Sequence, residues 1–173
     1  SGKPGPVVID VPKDIQVAMG SADYPETVNI RGYKPNEKVH RGQLKKAVEA
    51  LNSAERPVFL LGGGVNIAHA RREMTQLAEL VNVPVVTTMM GKGAIPTNHP
   101  LYIGNLGIHG NYASNHAIAD ADLIFSIGCR FNDRITGKLS KFAVNTTIVH
   151  IDIDPASISR NIVVDIPIVG DAK

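Results

Sequence analysis

Four stretches of this chain bring together residue types that can hold a nucleotide. Gly62-Gly63-Gly64 follows the apolar run Val58–Leu61. Three glycines let a backbone approach a diphosphate or sugar with no Cβ in the way, and their N–H groups can donate to anionic oxygens. A plain tight turn would use the same residues, and the spacing is not G-x-G-x-x-G, so the usual dinucleotide fingerprint is missing. Val85–Thr87 leads into Thr88 and Met89, and Leu123–Ile127 leads into Gly128, Arg130 and Arg134. The two arginines can serve as planar, bidentate phosphate donors; two solvated loop charges would look the same in sequence. Asp152 ends Ile148–Ile151, where a carboxylate can accept ribose hydroxyls. Asp154 would share its face in an extended chain, and both could equally cap the turn before Pro155.

Other chemistries find less support. The histidines show no H-x-x-x-H spacing and the single Cys129 allows no C-x-x-C, which speaks against a metal site. No G-x-S-x-G elbow is present. Cys129 has no histidine near it in sequence and reads as a small core-lining residue. His109, in Gly107-Ile108-His109-Gly110, is the histidine of a glycine-rich loop, suited to a loop hydrogen bond or a cofactor contact. Asp120 and Asp122 flank a helix-to-strand turn and read as solvated.

These residues must be positioned by elements whose patterns are also visible. Short, wholly apolar runs are expected where both faces of a parallel sheet are covered. Val58–Leu61, Val85–Thr88, Leu123–Ile127, Ile148–Ile151 and Ile166–Val169 are such strands. Leu44, Ala47, Val48 and Leu51 recur at helical spacing, as do Met74, Leu77, Ala78 and Val81. Ala113, Ala117 and Ile118 suggest a shorter helix. Gly91 to Gly110 reads as one glycine-rich loop, and 129–146 as an irregular polar stretch. Near the start, Pro6–Val11 (PVVIDV) reads as a strand closed by Pro12. Residues 18–40, with Gly20, Pro25, Gly32 and Pro35, read as a surface linker. Alternating strands and helices indicate an α/β fold, three-layered and doubly wound around a mainly parallel sheet, in which ligands bind outside the carboxyl ends of the strands.

Bulk properties narrow the classes. The chain has 173 residues, 43% hydrophobic and 20% charged, enough for a domain with its own core. A net charge of +2 makes no case for a nucleic-acid or membrane surface. One cysteine excludes a disulfide framework and fits a reducing compartment. The opening Ser1-Gly2-Lys3 and the ending just after an apolar run lead to the expectation of a piece of a longer protein.

Several strings resemble acetolactate synthase catalytic subunits, a family of thiamine-diphosphate enzymes. SGKPGPVVIDVPKDIQ (1–16) is similar to the segment joining that family's first and central domains. PVFLLGGG (57–64), PVVTTMMGKGAIP (84–96), LGIHG (106–110), GCRFNDRITGKL (128–139) and HIDIDPASISRN (150–161) follow in the family's order. The resemblance implies a linker over 1–40 and a central FAD-binding domain over 41–173, of the deoxyhypusine-synthase-like NAD/FAD-binding type. By motif position it implies FAD contacts at Gly62, Gly63, Gly64, Thr88, Met89, Gly107, His109, Gly128, Arg130, Arg134, Asp152, Ile153 and Asp171. Lys3 stands where the family often has arginine; it keeps the charge but not the fork geometry. Asn132 replaces a frequent aspartate. Lys13, Met89 and Asp133 fall where the family lines its substrate channel.

The resemblance further implies a parent enzyme that condenses two pyruvates, or pyruvate and 2-oxobutyrate, in branched-chain amino-acid synthesis. FAD would belong to this domain, and thiamine diphosphate and Mg²⁺ to others. No catalytic residue is expected here. The partners implied are the flanking N- and C-terminal domains, further copies in a homodimer or tetramer, and a regulatory small subunit; the location implied is the bacterial cytoplasm, or a plastid or mitochondrion in a eukaryote. Three other readings compete: a sister thiamine enzyme such as glyoxylate carboligase or pyruvate oxidase, an autonomous NAD-binding protein, and a domain that has lost its ligand. The strings at 128–139 and 150–161 argue against the first, and the retained Arg130, Arg134 and Asp152 against the last.

Overall fold

The computed structural model describes residues 2–32 and 38–173. From residue 41 onward the chain is built around six parallel strands: β1 (Pro57–Leu61), β2 (Val85–Thr87), β3 (Tyr102–Asn105), β4 (Leu123–Ile127), β5 (Thr147–Asp152) and β6 (Ile166–Val169). Their spatial order is β3-β2-β1-β4-β5-β6. The chain therefore winds one way from β1 and the other way from β4, and the switch lies between those two strands.

Both sheet faces are covered, which explains why the strands are apolar without alternation. Phe59, Leu61, Val85, Phe125, Ile127 and Val149 pack with Ala47 of α2 (Arg41–Ser53) and with Met74 and Ala78 of α4 (Arg71–Val81). Val58, Leu60, Val86, Ile124 and Ile148 point the other way, onto Ile118 of α5 (Tyr112–Asp120) and onto Phe131. The three-layer, doubly wound architecture is as expected, and the sheet is parallel throughout.

Four local readings change. Pro6–Val11 is not a strand: it is extended but joins no ladder, and Val8 is 90% exposed. β-branched residues favour extended backbone, but a strand needs a neighbour to bond, and among the described residues this one has none. After it come the short helix α1 (Lys13–Val17) and an exposed segment to residue 32; Pro35 lies outside the described residues. The presumed long loop from Gly91 to Gly110 contains β3, an edge strand with Gly104 at φ 140°. Gly63 and Gly64 begin a five-residue helix, α3 (Gly63–Ile67), rather than a simple turn. The polar stretch after β4 includes one helical turn, α6 (Asp133–Thr136).

Asp122 is not merely solvated. Its carboxylate accepts the N–H of Glu55 at 2.7 Å and of Arg56 at 2.9 Å, tying the loop after α2 to the entry of β4. Burial pushes its pKa up, but those two N–H groups outweigh it and hold the carboxyl below its usual range. A depressed carboxylate stabilises the fold above the unfolded-state value and loses that contribution as pH falls through the folded one. Asp122→Ala is therefore expected to destabilise the chain by about 1 kcal/mol at neutral pH. The difference from wild type should vanish in acid below the ordinary carboxylate range. Chemical denaturation at both pH values checks it; a pH-independent difference would remove the charge from the explanation.

Candidate functional site

Because all strands are parallel, their carboxyl ends share one edge, and nearly every residue singled out in the sequence emerges there. Gly62–Gly64 leave β1, Thr88 and Met89 leave β2, Gly107 and His109 leave β3, Gly128–Arg134 leave β4, Asp152 ends β5 with Ile153 just after it, and Asp171 follows β6. One series of backbone hydrogen bonds stitches these exits together. The N–H of Leu106 donates to Thr87, Thr88 to Leu61, Gly62 to Ile127, Gly128 to Ile151 and Gly170 to Asp152, all at 2.8–3.0 Å. Ile108 N–H donates to Arg134 C=O at 3.0 Å, which locks the β3 exit to the β4 exit.

The need for glycine at this edge has a more specific cause than an open cradle. A Cβ on Gly62 would lie 2.1 Å from Gly128 O, and one on Gly64 would lie 2.6 Å from Gly128 Cα. The β1 and β4 exits therefore touch backbone to backbone across the switch point. The N–H groups of Gly62 and Gly64 already donate to Ile127 and Gly128. Gly62 is buried, so a ligand can meet only the half-buried Gly63, Gly64 and Gly128, and the Gly64 N–H is already used. Gly91, read in the sequence only as the start of a glycine-rich loop, is packed in the same way: its Cβ would lie 2.0 Å from Leu61 O.

Asp152 is 7% exposed at the end of β5. Its Oδ1 accepts the N–H of Asp154 at 2.9 Å, and Asp154 Oδ1 accepts that of Ala156 at 3.0 Å, so both aspartates do cap the turn around Pro155. That uses one oxygen of Asp152; Oδ2 lies 3.8 Å from His150 Nε2. Arg130 does not pair with Asp152: it is exposed and makes no ion pair among the described residues, while its carbonyl accepts the Asn161 amide at 3.1 Å. Arg130 lines a cavity of about 410 Å³ with Asn132, Asp133, Ser157, Arg160 and Asn161. Arg160 and Ser157 carried no signal of their own in the sequence. A larger hollow of about 600 Å³ lies beside α3 and α4, lined by Asn66, His69, Arg71, Arg72, Thr75, Gln76 and Pro96. It takes in none of the residues at the strand exits discussed above, so we place the site at the smaller cavity.

The remaining residues sort by position. Lys3 Nζ reaches Asp154 Oδ2 at 2.8 Å, which brings the start of the chain to this edge and holds the Asp154 carboxyl below its usual range. Thr88 is buried and its hydroxyl accepts Gly91 N–H at 3.1 Å, leaving Met89 exposed beside it. His109 is exposed; Arg134 is exposed and 3.8 Å from Asp133. Asp171 Oδ1 accepts Lys173 N–H at 2.9 Å. Lys13 sits in α1, and no hydrogen bond or ion pair joins it to the edge among the described residues. Cys129 is buried, and burial pushes its thiol up to about 11, which leaves it protonated and inert. Among the described residues no group of His, Cys, Asp and Glu could hold a metal ion, and no helix is long and apolar enough to cross a membrane.

Comparison with known proteins fits this geometry. The chain is 51% identical to a probable acetolactate synthase large subunit of Methanococcus aeolicus, over its whole length and 29% of that relative. It is 46% identical to the acetolactate synthase isozyme 3 large subunit of Escherichia coli K12 and 43% identical to an acetolactate synthase of Mycobacterium bovis, covering 30% and 28% of them. The chain thus spans about 30% of the length of these relatives. A family model described as the thiamine pyrophosphate enzyme central domain matches residues 44–173, nearly all of the sheet and its helices. By that match the chain belongs to the central-domain family of thiamine pyrophosphate enzymes.

Proposed function

We propose that this chain is the central, FAD-binding domain of an acetolactate synthase large subunit. The parent enzyme condenses two pyruvates, or pyruvate and 2-oxobutyrate, into 2-acetohydroxy acids, with thiamine diphosphate and Mg²⁺ held by its other domains. The observation that carries the reading is the convergence of Gly62–Gly64, Arg130 and Asp152 on one edge, at the strand-order switch, in a chain similar throughout its length to those subunits. The residues fit a flavin nucleotide. Among the described residues the buried Asp152 keeps Oδ2 free of any bond within hydrogen-bonding distance, as a ribose acceptor would, and Arg130 lines the neighbouring cavity with its guanidinium unpaired. Asp152 would hold the ribose, Arg130 and Arg134 the diphosphate, and the glycine surfaces at the β1 and β4 exits the chain of atoms between. FAD when bound supplies a flavin ring that takes no part in the net condensation.

The parent enzyme carrying Asp152→Asn is expected to bind FAD about 10- to 100-fold more weakly, the effect of stranding one hydrogen-bond partner. Its melting temperature without FAD should barely change, because asparagine can still accept the Asp154 N–H. Fluorescence titration of FAD into both proteins, with parallel melts of the apo forms, checks this. A destabilised apo variant with unchanged FAD affinity would reduce Asp152 to a turn cap.

A further inference from the structure

His150 is the residue of this region with least explanation. It is 1% exposed, and neither ring nitrogen has a hydrogen bond of good geometry among the described residues, although the Cys129 backbone lies close enough to favour the charged ring. Buried polar atoms in that condition are rare in native proteins and mark either a missing partner or a task. The ring is fixed from two sides. Phe131 meets it edge-on, with centroids 5.1 Å apart and planes at 89°, and Phe131 itself holds a left-handed backbone at φ 49°. Ser126, its register partner on β4, lies on the same face, and its buried hydroxyl sits beside the Cys129 thiol, not bonded to His150.

Asp152 stands two residues further along β5, hence on the same face. Its Oδ1 is held by the Asp154 N–H, so the carboxylate can turn only about that bond. The other oxygen, Oδ2, faces His150 Nε2 at 3.8 Å, too long for a hydrogen bond but within a small rotation of one. Functional hydrogen bonds are often long before the ligand arrives. Burial keeps His150 from protonating in its ordinary range, so at neutral pH the ring is uncharged and carries one proton. A proton on Nε2 points at Asp152 and leaves Nδ1 as an acceptor.

We propose that His150 is a positioning residue for the cofactor site: its neutral ring, protonated on Nε2, closes onto Asp152 Oδ2 and orients the carboxylate so that its outward lone pairs meet the ribose hydroxyls. This rests on the FAD reading above. The test uses the full-length parent enzyme, stripped of FAD, with FAD affinity read by flavin fluorescence and stability by apo melting. His150→Leu is expected to weaken FAD binding about 10-fold. His150→Gln, whose amide nitrogen can reach the Nε2 position, should recover affinity to within about threefold of wild type. In an Asp152→Asn background, His150→Leu should add less than about a twofold loss, because the group it orients has already changed. Where the leucine variant does not fold, His150→Asn replaces it: its amide reaches only the Nδ1 position and should weaken FAD as leucine does.

The outcomes separate cleanly. If Gln and Asn weaken FAD equally, or if the His150 and Asp152 losses multiply in full, His150 only fills space and the inference fails while the FAD reading stands. The same holds if His150→Leu leaves FAD affinity untouched. If the wild-type parent binds no FAD, both fall together.

Discussion

Gly128→Ala is expected to destabilise the domain by about 3 kcal/mol or more and to lower its melting temperature by roughly 6–12 °C. Two effects add. Gly128 sits at φ 61°, a conformation that disfavours any Cβ by about 1–2 kcal/mol. A Cβ there would also lie 2.6 Å from Gly64 Cα, and the neighbour is backbone, which cannot rotate away. Gly93 isolates the first effect: at φ 86° its Cβ position meets only the far end of the Arg71 side chain, at 3.5 Å. Gly93→Ala should therefore lose only about 1–2 kcal/mol. Thermal melts of the two variants decide the matter. Equal losses at both sites would mean that close approach across the switch point contributes nothing, and that the glycines at the β1 exit need another explanation.

The second large effect concerns affinity. Taken alone, this chain should bind FAD at least about 1,000-fold more weakly than the intact parent enzyme, a difference of about 4 kcal/mol. Ligand sites bury most of the ligand surface, whereas here the candidate residues form a shelf. Met89, Ile108, His109, Arg130 and Arg134 are all exposed, and the cavity beside Arg130 is only about 410 Å³. Isothermal titration with FAD, of the chain and of the parent, measures the gap. Stoichiometric FAD that stays with the isolated chain through gel filtration would overturn this reading and show that the shelf suffices.

How much of this was legible in the sequence depends on how local each cause is. β1, β4 and β5 are short runs of apolar residues bounded by glycine or aspartate, and a parallel, doubly covered sheet is what such runs encode. Once the sheet is parallel, Gly62, Arg130 and Asp152 must share an edge, so the candidate site followed from strand exits alone. β3 escaped because Tyr102–Asn105 carries a glycine and an asparagine and has one neighbour, β2; pairing, not composition, makes it a strand. PVVIDV misled for the converse reason, having the composition and, among the described residues, no partner. Asp122 acts on Glu55 and Arg56, 67 and 66 residues away, and nothing near it in sequence announces that. His150 is one histidine in an apolar run, with no spacing to mark it; its isolation appears only when the ring nitrogens are counted in three dimensions.

The unpaired Pro6–Val11 segment has a colloidal consequence. It offers a row of backbone donors and acceptors flanked by Val7, Val8 and Ile9, each more than three-quarters exposed. Such a row is a template on which the same segment of a second molecule can pair. Asp10 and the prolines at positions 6 and 12 act as gatekeepers that keep the pairing short and interrupt its growth into fibrils. Handled apart from any chain that covers this segment, the protein is therefore expected to self-associate with rising concentration, starting outside its folded core.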